Sequence, residues 1–128
     1  DLGLKDDEGY VKLVGRSKDM LITGGLNVYP AEVESVLTGF PGILENAVIG
    51  IPHEKWGETV LAIINGGGKA LDTDEIIAYC KAELADYKVP RYIVFREQEL
   101  PRGMSGKILK MDLQAEYQDL ASVADPVR

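Results

Sequence analysis

Two short stretches hold the residue types best suited to chemistry. The first is Pro101-Arg102-Gly103-Met104-Ser105-Gly106-Lys107-Ile108-Leu109-Lys110. Its Lys107 follows Ser105-Gly106 in a flexible loop at the start of a predicted helix. A lysine there is a mobile point charge on a long stem, suited to meeting phosphate oxygens, and the helix start adds a partial positive field. A solvated surface lysine fits the same residues. The loop is not a P-loop, which needs glycine where Pro101 stands and Ser or Thr where Ile108 stands. Gly66-Gly67-Gly68-Lys69 fails the same test and reads as a plain hairpin turn. The second stretch runs from Gly15-Arg16-Ser17-Lys18-Asp19 through Gly24-Gly25 to Glu32-Val33-Glu34. Adjacent glycines let a backbone approach a ligand closely or adopt positive φ, although an ordinary β-to-α turn asks for no more. Lys18-Asp19, between two strands, is a hinge or a polar bend. His53 is the one histidine and makes no metal site alone, so it reads as structural or solvent-exposed. Cys80 falls on an apolar helix face and reads as an inert core residue.

The elements that must position these residues alternate between strand and helix. Asp6-Asp7-Glu8-Gly9 is turn chemistry, and Tyr10 to Val14 alternates as a half-buried strand. Met20-Leu21-Ile22 is a short strand, followed by a loop over Thr23-Gly24-Gly25-Leu26-Asn27. Pro30 suits the first residue of a helix that carries Val33, Val36 and Leu37 and stops near Gly39. Ile43 to Ile51 and Thr59 to Asn65 are apolar strands separated by a loop over Pro52 to Gly57. Asp72 with Glu75 forms a capping-box pattern, with Leu71 and Ile76 as its hydrophobic staple. Ile76, Ile77, Cys80 and Leu84 make one helix face; Ala85 to Pro90 connects to a third strand, Tyr92 to Phe95. A loop over Leu100 to Gly106 then leads to a last helix from Ile108 to about Leu120. The mixed order with short links gives an α+β or open α/β body.

With 128 residues, 45% hydrophobic and 27% charged, the chain is one domain with a real core and is too apolar for disorder. A formal charge of −7 argues against a nucleic-acid or anionic-membrane module. A single cysteine excludes an internal disulfide. No apolar run reaches the roughly 18 residues of a membrane span. Because the sequence opens on Asp1 with no signal peptide, we expect a cytoplasmic piece of a longer polypeptide.

In register, the two stretches resemble the carboxy-terminal domain of the adenylate-forming (ANL) enzymes: acyl- and aryl-CoA synthetases, peptide-synthetase adenylation domains and luciferases. The resemblance runs from Asp1 to about Leu113. It includes the opening Asp-Leu-Gly, the Asp-Glu-Gly-Tyr turn, Gly15-Arg16-Ser17-Lys18-Asp19, Gly24-Gly25, Asn27-Val28-Tyr29-Pro30, Glu32-Val33-Glu34 and Ser105-Gly106-Lys107. It implies an α+β domain: residues 1–18 as a hairpin and hinge segment leading from a large amino-terminal domain, and residues 19–128 as the lid, with a central three-stranded mixed sheet flanked by helices.

The resemblance further implies a reaction in two halves. A carboxylic acid is joined to AMP from ATP with release of pyrophosphate, and the acyl group then passes to a thiol, usually CoA. Lys107 would stand between carboxylate and α-phosphate, where a cation lowers the barrier, and would be open to reversible acylation by lysine-modifying enzymes. Asp1 matches an aspartate that accepts from the ribose hydroxyls, and Arg16 an arginine near ribose and phosphate. Lys18 falls at the hinge about which the domain rotates between adenylating and thioester-forming poses. Gly24-Gly25 would line the pantetheine channel. Trp56, Tyr87 and Arg91 fall where aryl-CoA ligases contact the CoA nucleotide, and Lys81 where acetyl-CoA synthetases place a basic residue for the CoA phosphate; Val89 stands where an aryl ligase has a basic residue. A ring half-buried over the sheet also fits Trp56. Expected cofactors are ATP, Mg2+ bound mainly by the amino-terminal domain, and CoA; the expected partners are that domain and the small-molecule acid. Loading a carrier protein instead of CoA, or acting as a free-standing non-catalytic nucleotide- or partner-binding module, are the competing readings.

Overall fold

The computed structural model describes residues 20–128. The expected lead-in hairpin and hinge over 1–18, and with them Asp1, Arg16 and Lys18, lie outside the described residues.

The centre of the fold is β4 (Gly57–Asn65), whose residues from Thr59 onward are all buried. It pairs along its whole length with antiparallel β3 (Glu45–His53), in register from Glu45 opposite Asn65 to His53 opposite Gly57. Its other edge is shared. The carboxy-terminal half, Leu61 to Asn65, runs parallel to β5 (Tyr92–Arg96), and Gly57 at the opposite end meets Thr23 of β1 (Leu21–Thr23). β2 (Leu26–Val28) is the outer partner of β1. The expected three-stranded mixed sheet is therefore the core β3-β4-β5, and a hairpin extends it to five strands. Thr23 to Asn27 is therefore not a loop but the end of β1, a two-residue turn and the start of β2, strands of three residues that are too short to show a period.

Helices cover both faces of the sheet, which is why β3 and β4 read as continuous apolar runs. On one face Val60, Ala62 and Ile64 pack with Val33 and Leu37 of α1 (Pro30–Thr38) and with Ile76, Ile77 and Cys80 of α2 (Thr73–Glu83). On the other, Leu61 and Ile63 pack with Leu113 of α3 (Lys110–Tyr117), and Leu120 of α4 (Leu120–Val123) closes over them. Each fully buried Leu or Ile contributes about 1.5–3 kcal/mol, so the period-two alternation of β4 stabilises two cores at once.

Local chemistry sets the helix ends. Pro30 opens α1 as expected, and Gly39 follows its last residue. The Asp72 carboxylate accepts from the Asp74 and Glu75 amides at 2.8 and 3.3 Å, and Leu71 packs on the same cluster as Ile76. Some expectations are corrected. Gly66-Gly67-Gly68 is not a hairpin turn but the link from β4 to α2, since a parallel β4-β5 pair requires a helical crossover. The connection over 85–90 contains a 3-10 turn, Asp86–Lys88. The last helix is two, α3 and α4, and starts at Lys110 rather than Ile108.

Candidate functional site

Ile108 does not enter the helix because it is spent in a hairpin. Arg102 and Ile108 form an antiparallel bridge, Gly103 N donates to Lys107 O at 2.9 Å, and Leu109 N donates to Pro101 O at 2.8 Å. Gly106 N donates to Gly103 O at 3.0 Å, closing a tight turn in which Gly106 has φ +86°, a conformation glycine adopts without penalty. Hence the loop expected to be flexible is tied across its own neck.

A second tie fixes the hairpin to the sheet. The Arg102 guanidinium donates to Gly106 O at 2.8 Å and to Glu45 Oε1 at 2.6 Å. Glu45, the first residue of β3, also accepts from Leu100 N and from Asn65 Nδ2, both at 3.0 Å through Oε2. Burial pushes the Glu45 carboxyl up, but the bonds from Asn65, Leu100 and Arg102 outweigh it and hold the group below the usual carboxylate range. Downstream, Lys110 pairs with Glu34 at 2.8 Å, and Glu34 also accepts from Val48 N, so α1, β3 and the start of α3 share one carboxylate.

Lys107 itself stands exposed on the rim of this hairpin. It lines an open cleft of about 960 Å³ with Glu34, Asn46, Arg102 and Asp112 among its walls. Its ammonium makes no hydrogen bond or ion pair among the described residues. Among the described residues, the arrangement presents an exposed cation without a partner on a fixed base.

A second cluster forms at the sheet's other end. Gly24 and Gly25, with φ +58° and +83°, are the two central residues of the β1-β2 turn, where both must be left-handed. Gly24 N donates to Trp56 O at 3.0 Å, and a Cβ on Gly24 would lie 3.5 Å from the indole. The Trp56 ring is half-buried, stacks on His53 at 4.4 Å between centroids, and carries the Arg91 guanidinium 4.1 Å from its centroid. His53 Nδ1 accepts from Lys55 N at 3.0 Å, a structural role, as its residue type suggested.

Gly24, Trp56 and Arg91, distant in sequence, thus come together. Tyr87 sits in the 3-10 turn and packs against the α1/α2 core, with the Lys88 ammonium 5.7 Å from its ring. Lys81 is exposed in the last turn of α2 and meets none of these residues. Cys80 is fully buried, and burial pushes its thiol up to about 11, as an inert core residue requires. Sequence reasoning missed Glu45, one of two acidic residues in the described strands with Glu58, and gave Arg102 no role; the signal that could have found the pair is a charged residue at the start of an otherwise apolar strand. Among the described residues no helix is long and apolar enough to cross a membrane, and no group of His, Cys, Asp and Glu is arranged to hold a metal ion.

Comparison with known proteins adds the context of this geometry. Residues 32–107 match the family description "AMP-binding enzyme C-terminal domain". The chain is 50% identical over 117 residues to the long-chain-fatty-acid–CoA ligase FadD13 of Mycobacterium tuberculosis, covering 91% of this chain and 23% of that protein. Among solved structures it is similar to a Mycobacterium tuberculosis fatty acyl CoA synthetase (49% identity, TM-score 0.78, 90% of this chain and 23% of that one). It is also similar to apo MatB from Rhodopseudomonas palustris (41% identity, TM-score 0.79, 91% and 23%). The chain therefore spans under a quarter of the length of these relatives.

Proposed function

Because this chain belongs to the family of AMP-binding enzyme C-terminal domains, we propose that it is the mobile lid of an ATP-dependent carboxylic acid–CoA ligase. In the first half-reaction the carboxylate oxygen attacks the α-phosphorus of ATP, and pyrophosphate leaves with the electrons of the broken P–O bond. In the second, a CoA thiol attacks the acyl carbon of the acyl-AMP, loses its proton, and AMP leaves. The observation that supports this reading is the exposed Lys107 ammonium, unpaired among the described residues, on a doubly tied hairpin. A cation held where phosphoryl charge concentrates needs little reorganisation at the moment of reaction. Acylation of Lys107 would delete that charge.

The thiol end of the reading rests on Gly24, Gly25, Trp56, Tyr87, Arg91 and Lys81, with the side-chain-free turn leaving room for a pantetheine arm. Its support is the convergence of Gly24, Trp56 and Arg91, and relatives named as CoA ligases. Asp1 and Arg16 take the nucleotide and Lys18 the hinge in the same proposal. Mg2+ and the acid pocket belong to the amino-terminal domain.

The test uses the full-length protein: acid-dependent ATP–pyrophosphate exchange, followed by CoA-dependent AMP release, over a panel of fatty and aromatic acids. Exchange with at least one acid and AMP release only when CoA is added are expected. Absence of both across the panel would overturn the proposal.

A further inference from the structure

One guanidinium joins the Lys107 hairpin to the sheet. Arg102 Nη1 donates to Gly106 O at 2.8 Å, and Nη2 donates to Glu45 Oε1 at 2.6 Å. Gly106 O belongs to the peptide plane that carries the Lys107 amide and Cα, so the first bond orients the backbone from which the Lys107 side chain departs. The second bond ties that plane to the start of β3. The Glu45 side chain is 15% exposed, and its other oxygen accepts from Leu100 N and Asn65 Nδ2, both at 3.0 Å. The carboxylate is therefore held by the sheet and the 97–100 segment and has no freedom to follow the hairpin.

What depends on this tie is the aim of Lys107. Its ammonium has no partner among the described residues, so the fold orients this residue through its backbone. Two bonds do so: Gly103 N on Lys107 O at 2.9 Å, and Arg102 on the preceding carbonyl. The first, like the bond of Leu109 N to Pro101 O, is internal to the hairpin and keeps its shape. The Arg102 fork sets the direction of that shape relative to the sheet, in one plane and with two acceptors, a geometry that lysine does not copy. Truncating Arg102 leaves the hairpin closed on itself but releases it from Glu45.

We infer that Arg102 is a positioning residue for the first half-reaction: by joining Gly106 O to the Glu45 carboxylate it fixes the direction from which the Lys107 ammonium reaches the α-phosphate, without touching substrate itself. This inference rests on the CoA-ligase reading and on Lys107 acting in adenylation. A misplacement of about 1 Å costs up to roughly 10²-fold in rate, so the loss belongs in kcat for adenylation and not in thioester formation.

The experiment uses the full-length enzyme with R102A, R102K, K107A and the double variant R102A/K107A, each in the separate half-reactions. In R102A, kcat for acid-dependent pyrophosphate exchange falls about 10- to 100-fold, while KM for ATP and thioester formation from supplied acyl-AMP stay near native values. R102K, which keeps the charge without the fork, recovers only part of the exchange rate and serves as the reading if R102A fails to fold. In the K107A background, read at high enzyme concentration, R102A lowers exchange no further, because nothing is left to position; a purely structural defect would repeat its factor there. Native exchange in both Arg102 variants, an equal fall in both half-reactions, a rise in KM for ATP at unchanged kcat, or the same fold-loss on top of K107A overturns the inference while leaving the ligase reading intact. Native exchange in K107A overturns the inference together with the role of Lys107, and an enzyme that shows no exchange with any acid overturns the ligase reading as well.

Discussion

The role proposed for the Lys107 ammonium depends on its neighbours being occupied elsewhere. Arg102 is committed to Glu45 and Gly106 O, and Lys110 to Glu34, so among the described residues Lys107 is left as the cation of its hairpin without a partner. Replacing it with alanine is expected to slow acid-dependent pyrophosphate exchange by about 10²–10³-fold, with a far smaller effect on thioester formation from supplied acyl-AMP; equal loss in both assays would refute the role. Glu45 makes the companion prediction. Its folded carboxyl titrates below the ordinary value, so its contribution to stability is fully present above the unfolded pKa and is lost as pH falls through the folded one. Glu45→Gln should therefore destabilise the chain at neutral pH by about 1–3 kcal/mol, the scale of a lost buried acceptor. The gap from native should narrow on acidification through the carboxylate range, read by denaturant melts at several pH values. A gap independent of pH would show that charge at Glu45 is irrelevant. That Lys107 is the candidate for the chemistry was legible in Ser105-Gly106-Lys107; that Arg102 and Glu45 hold the base of its hairpin was not, because their pairing spans 57 residues of sequence.

Hairpins, rather than helices, position both clusters. The turn at Gly24-Gly25 was visible as two glycines, but its role as the apex of a β1-β2 ribbon depends on Thr23 meeting Gly57 and Gly24 N meeting Trp56 O. A left-handed conformation costs a non-glycine residue about 1–2 kcal/mol, and a longer side chain at Gly24 would reach the indole. Gly24→Leu is therefore expected to block thioester formation while sparing pyrophosphate exchange, measured as separate half-reactions; normal CoA-dependent AMP release would sink the placement. The shift of the last helix has the same origin. Ile108 and Leu109 have helical neighbours in sequence, yet their backbone groups are claimed by Arg102 and Pro101. Helical spacing describes a side-chain face and is blind to such competition.

Across the whole chain, one central strand serves two cores, and this makes the halves interdependent. Leu113, fully buried under β3 and β4, joins α3 to the sheet next to the Lys107 hairpin. Leu113→Ala is expected to cost about 2–5 kcal/mol in chemical denaturation; a loss below 1 kcal/mol would mean the helix is not anchored there. Residues 32–107 match the family of AMP-binding enzyme C-terminal domains, and the chain spans under a quarter of its relatives' length, so in the proposed function the Lys107 hairpin and the Gly24 turn act with groups of an amino-terminal domain. From residue order alone come a body that is α+β or open α/β, the three apolar strands, the helix starts at Pro30 and Asp72, and, through short in-register motifs, the family that selects α+β, because all of these depend on local spacing and residue type. Only the folded chain brings Gly24, Trp56 and Arg91 into one cluster and ties the Lys107 hairpin through Glu45. Those contacts link distant segments through hydrogen bonds and charge, and such pairings leave no periodic trace in a linear pattern.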